Sequence, residues 1–149
     1  MDGTPQGGEQ DDDQALDQAL VVDVFARACP SRSLLADVTG RWGTLAVLAL
    51  DEGTARFGAL RRRVDGVSEK MLAQTLQALE RDGLVVREVV TSIPPHVEYT
   101  LTPLGRRVAE RLRALVEVLE DAVPEVLAAR ADHEGRVRAA AGDRGRVGA

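Results

Sequence analysis

The most constraining feature of this chain is a change of period at Gly83. Before it, Leu72, Leu76 and Leu79 recur at helical spacing and, at ~100° per residue, share one face, while Lys70, Gln74, Gln77 and Arg81 lie opposite. After it, Val85 to Thr91 is rich in β-branched residues, and Val97 to Leu101 alternates apolar with polar as a half-buried strand requires. The joint Ser92-Ile93-Pro94-Pro95-His96 contains two prolines with no amide hydrogen to donate, so it must project as a loop. A helix that stops at a glycine and gives way to two strands excludes a pure helical bundle. The expectation is an amphipathic helix followed by a two-stranded β-wing.

The segments around this unit are helical. Asp65-Gly66-Val67 makes a tight turn, Ser68 is a candidate N-cap and Glu69 suits the positive end of the helix that follows. Upstream, Phe57, Leu60 and Val64 give a short apolar stripe. Trp42, Leu45, Ala46, Leu48, Ala49 and Leu50 form a nearly all-apolar helix that belongs at the centre and ends at the Asp51-Glu52-Gly53 turn. Before it, Leu34, Leu35 and Val38 line a helix that Ser31 can cap and Gly40 stops. Downstream, Thr102 and Pro103 read as N-cap and first residue of a long helix carrying Leu104, Val108, Leu112, Leu115, Val116 and Leu119. Pro124 interrupts that helix.

The expected fold is mostly α with a small two-stranded β-wing: a winged helix-turn-helix with N- and C-terminal dimerisation helices. Residues 1–13 read as a disordered acidic tail. Residues 14–28, with Leu16, Leu20, Val21, Val24 and Phe25 at helical spacing, read as an amphipathic dimerisation helix. Residues 29–123 hold the winged domain and its long C-terminal helix, and 124–149 a short helix, to about Ala131, and a flexible Arg/Gly-rich tail. Leu16, Leu20 and Val24 with Leu112, Leu115 and Leu119 are the expected dimer interface.

The net charge of -5 argues against a nucleic-acid partner until it is divided along the chain. Residues 1–26 carry seven acids and no Lys or Arg, whereas Arg56 to Arg113 holds eleven basic residues against seven acidic ones. The polar face from Ser68 to Arg81 lies inside that basic segment. One cysteine and two histidines exclude a disulfide framework and a thiolate-rich zinc site, and no metal or other cofactor is expected. A phosphate-binding Gly-rich loop, a nucleophile–base set and paired carboxylates are all missing, so no enzyme is expected. Without a signal peptide or a run of ~20 apolar residues, the expected location is the cytoplasm, with no membrane partner.

Seven runs in the expected order resemble one family: Cys29-Pro30, Gly40-Arg41-Trp42, Arg56-Phe57, Val67 to Leu72, Leu79 to Val85, Pro94 to Tyr99 and Leu101 to Gly105. Together they resemble the HxlR-type regulators of bacteria over roughly residues 29–120. The resemblance implies a homodimeric transcription factor, more often a repressor, with one recognition helix per subunit in the major groove of a pseudo-palindromic operator. The residues lead to the same partner, double-stranded DNA. Ser68, Lys70, Met71, Gln74 and Gln77 are placed to meet base edges, since Gln can pair with adenine and Lys with guanine, and Arg81 to meet a phosphate. Arg61, Arg62 and Arg63 would neutralise backbone charge, unless they are a solvated cluster. Pro94, Pro95 and His96 are either minor-groove contacts or plain exposed loop residues.

Cys29 has two readings. A small cysteine is usually packing, yet this one lies between Arg27 and Arg32 before a helix start, where thiolate is favoured. The resemblance adds that some relatives sense oxidants or electrophiles through an N-terminal cysteine. A small-molecule effector is a further partner to consider. The competing function is a winged-helix protein-interaction module without specific DNA binding, which fold alone does not exclude.

Overall fold

The computed structural model describes residues 22–146. Helices α1 (Pro30–Thr39) and α2 (Arg41–Asp51) are followed by the short strand β1 (Ala55–Arg56), then α3 (Phe57–Arg63) and α4 (Glu69–Arg81). Strands β2 (Val85–Val90) and β3 (His96–Leu101) make the wing, and α5 (Pro103–Asp121) and α6 (Val123–Arg146) complete the chain.

The apolar stripes become one core. Leu60 of α3, Leu72, Leu76 and Leu79 of α4, Leu84 and Val47 of α2 are fully buried, each stabilising the fold by roughly 1.5–3 kcal/mol through burial. Helix α2 packs against α1, α3, α4, α5 and β3, as an almost wholly apolar helix must. Its outer side is less covered than its sequence implies. Trp42 is half-buried against the core, and Leu45 remains 42% exposed.

Gly83, at φ +77°, supplies the left-handed residue that ends α4 and turns the chain into β2. Thr102 then ties the next helix to the same corner: its hydroxyl donates to the Gly83 carbonyl at 2.7 Å and accepts from the Gly105 amide at 3.0 Å. A Cβ at Gly105 would collide with the Leu84 carbonyl, so only glycine lets α5 lie this close to the start of the wing.

The sheet has three strands where two were expected, in the order β1-β3-β2. Ala55 pairs with Tyr99 and Arg56 with Glu98, a two-residue strand too short to leave a period in the sequence. In the hairpin, Val85 faces Leu101 and Val90 faces His96. Its base is core, with Val85, Tyr99 and Leu101 buried, while Val86 and Val89 are about half exposed as the hairpin leaves the domain.

Both ends differ from expectation. Leu16, Leu20 and most of the expected 14–28 helix lie outside the described residues, but 22–28 form exposed turns, with Val24 and Phe25 in solvent. Asp23 accepts from the Phe25 amide at 3.0 Å, a local bond that competes with helix. Cys29, not Ser31, occupies the N-cap of α1, because Pro30 supplies the first helical residue and places Ser31 inside the helix. At the other end, helix α6 continues to Arg146 through the segment expected to fray after Ala131. Leu112, expected at the dimer interface, belongs to the subunit's own core with Gly105 and Ala109, because this face of α5 packs on α2.

Candidate nucleic-acid interface

Helices α3 and α4, joined by the Val64–Ser68 turn, form a helix-turn-helix. The Ser68 hydroxyl accepts from the Met71 amide at 3.1 Å, capping α4. With three leucines holding its inner face, α4 turns Lys70, Gln74, Gln77 and Arg81 outward, and Met71 is 40% exposed beside its N-terminus. Lys70 takes part in no ion pair among the described residues. Neither glutamine amide has a protein hydrogen-bond partner among them, so both are available to a ligand.

The arginines divide into different roles. Arg61 bonds Glu69 at 2.8 Å, staying beside the first turn of α4. Arg62 is exposed and in no ion pair among the described residues. Arg63 instead reaches back to Glu52 at 2.6 Å, and its hydrogen bond holds the Glu52 carboxyl below the usual range. The three therefore do not form one patch. Arg81 bonds Asp37 of α1 at 3.1 Å and approaches Asp82 at 3.5 Å, which fastens the end of α4 to α1. Burial, followed by the neighbouring Asp37 carboxyl, pushes the Asp82 carboxyl above the usual range.

At the wing tip Ile93, Pro94 and Pro95 are exposed. His96 is not presented there: its Nε2 lies 2.9 Å from Glu98 and its Nδ1 3.2 Å from the Ser92 hydroxyl. Glu98 in turn stands opposite Glu88 in the hairpin, so that part of the wing is acidic. The exposed cations of the sheet are Arg87 on β2 and Arg56 on β1, neither assigned a DNA contact from the sequence. Their signal is a basic residue at an exposed strand position, readable only once the strand register is known.

A helix-turn-helix backed by a hairpin wing is the architecture of many regulators, and comparison with known proteins narrows it. Residues 37–126 match the model of the HxlR-like helix-turn-helix family. The chain belongs to this family. A helix-turn-helix-type transcriptional regulator of Escherichia coli K12, YtfH, is 58% identical over 72% of this chain and 85% of its own length. The solved structure of the transcriptional regulator ytfH from Salmonella typhimurium superposes with a TM-score of 0.69 at 54% identity, covering 73% of this chain and 97% of the other. The redox regulator HypR in its reduced form gives a TM-score of 0.60 at 33% identity, over 67% of this chain and 98% of that one. This HxlR-like chain is accordingly a DNA-binding transcriptional regulator and not an enzyme. Among its described residues no helix is long and apolar enough to cross a membrane.

In this regulator Cys29 is half-buried at the N-cap of α1. Its sulfur lies 3.1 Å from the Ser31 hydroxyl, and that hydrogen bond lowers the thiol below its ordinary value.

Proposed function

We propose that this HxlR-like regulator acts as a homodimer that reads a pseudo-palindromic operator through Lys70, Gln74 and Gln77, with repression by promoter occupancy as the outcome. The observation that carries the reading is the outer face of α4: Lys70, Gln74 and Gln77 have no protein partners among the described residues, on a helix capped by Ser68 and anchored by buried leucines. Arg62 and Arg87 would supply phosphate contacts, and the exposed prolines of the wing would lie along the flanking duplex. Arg81, engaged by Asp37, would orient the helix rather than reach freely for phosphate. The two-fold seam would use Leu115, Val118 and Leu119, which are half or more exposed on α5. Two recognition helices would then meet half-sites about one turn apart, ~34 Å.

The test is duplex binding across a salt series. Affinity for a promoter fragment containing the inverted repeat should exceed that for random duplex, and both should fall steeply with salt. Lys70→Ala or Gln74→Ala should weaken operator binding by ~1–3 kcal/mol and leave random duplex less affected. Equal affinity for both duplexes at every salt concentration would instead leave the winged helix as a protein-interaction module.

A second reading concerns the signal. The lowered thiol of Cys29, set at a helix N-cap, favours an oxidant- or electrophile-responsive regulator, and the similar HypR is a redox regulator.

A further inference from the structure

Helix α6 runs 24 residues from Val123 to Arg146, and every one of them is exposed. The family match ends at residue 126, so most of this helix lies beyond the matched residues. A helix of this length with glycines at 135, 142 and 145 is poorly stable alone in water, because each glycine weakens it and no core covers it. It needs an occupant on one face.

The sequence of that face indicates which one. At ~100° per residue, Val123, Leu127, Arg130, Glu134, Val137 and Ala141 fall within an arc of ~80°. Gly135 and Gly142 lie well away from it, while Gly145, in the last turn, falls at its edge. Arg130 and Glu134 join no ion pair among the described residues. When the stripe is laid antiparallel on itself, with the two-fold axis level with Asp132, it is self-complementary. Val123 meets the partner's Ala141, Leu127 the partner's Val137 and Arg130 the partner's Glu134, and each contact occurs twice, as a two-fold interface demands.

We propose that α6 is an intersubunit clasp: the α6 helices of two chains pair antiparallel through this stripe, burying the apolar positions and closing two Arg130–Glu134 ion pairs. A parallel pairing would set Arg130 against Arg130 and Glu134 against Glu134, which like charge opposes. The proposal rests on the homodimer reading and gives the dimer a contact outside the residues matched to the family.

The test uses the full chain carrying Cys29→Ser. Leu127→Cys with Val137→Cys should form a disulfide-linked dimer under mild oxidation. Either substitution alone should not, because in this register identical residues at these positions stand ~15 Å apart along the axis. Arg130→Glu should weaken dimerisation several-fold by sedimentation, and adding Glu134→Arg should restore it. A chain that sediments as a dimer yet gives no cross-link with the double cysteine overturns the clasp and leaves the homodimer standing. A chain that is monomeric at all concentrations overturns both. Cross-linking by Leu127→Cys alone, or loss of α6 helicity when residues 1–13 are removed, would show a parallel pairing or the acidic segment as occupant and also overturn the clasp.

Discussion

Single side chains in this protein owe their chemistry to partners that are near in space and often near in sequence. Cys29 is the clearest case. Its lowered thiol comes from the Ser31 hydroxyl two residues on, which the first turn of α1 brings within 3.1 Å. A lowered value raises the thiolate fraction at neutral pH, so Ser31→Ala should slow alkylation of Cys29 by iodoacetamide at pH 7. If the thiol is the sensor, diamide should abolish operator binding in the native chain and spare Cys29→Ser. Equal oxidant sensitivity of the two would end the sensor reading. The α4 face from Lys70 to Arg81 was legible at this scale, since period alone places it opposite the leucines. The behaviour of His96 and Arg63 was not. The partners of His96 are near in sequence, Glu98 two residues on along β3 and Ser92 four residues back in the loop, but they meet it only where the loop turns into the strand; Glu52, the partner of Arg63, is set by how α3 meets the end of α2.

Elements are held at their junctions by small polar groups. Ser68 and Thr102 were recognisable as caps because capping uses residues adjacent in sequence, and both accept the amide bonds a cap should. Strand β1 was not recognisable, because its two residues become a strand only by pairing with β3. The junction of α1 with α4 was equally hidden. Asp37, Arg81 and Asp82 meet there, and Asp82 Oδ2 is buried without a hydrogen-bond partner. Burial and the Asp37 carboxyl raise the Asp82 carboxyl, so the folded state favours its protonated form. The associated stability is fully present below the unfolded value of an aspartate and is lost as pH rises through the raised folded value. Asp82→Asn should therefore keep or raise Tm at pH 7, and its advantage should close as pH falls into the carboxylate range. A Tm lower than that of the native chain at pH 7 would show that the ionised form is the stabilising one.

For the whole molecule, the question is which apolar surface a subunit covers itself and which it leaves for a second copy. Leu112 and Leu115 sit three residues apart on α5, yet one is 7% exposed and the other 50%. Leu112→Ala should cost the fold about 2–5 kcal/mol in denaturant unfolding, as a cavity in the core does. Leu115→Arg should instead shift sedimentation from dimer to monomer and weaken operator binding while Tm changes little. A folded Leu115→Arg chain that remains a dimer would move the seam off α5.

What the sequence determined by itself is everything carried by local period and by caps: five of the helices, the hairpin, the turn before Ser68 and the polar face behind it. These follow from side-chain spacing, which acts over a few residues and needs no tertiary partner to be read. Only the tertiary structure decided the third strand, the opposition of Glu88 to Glu98 across the hairpin, the fastening of Arg81 to α1 and the burial of Leu112. Each depends on groups far apart in the chain being brought within contact distance, and spacing carries no record of that.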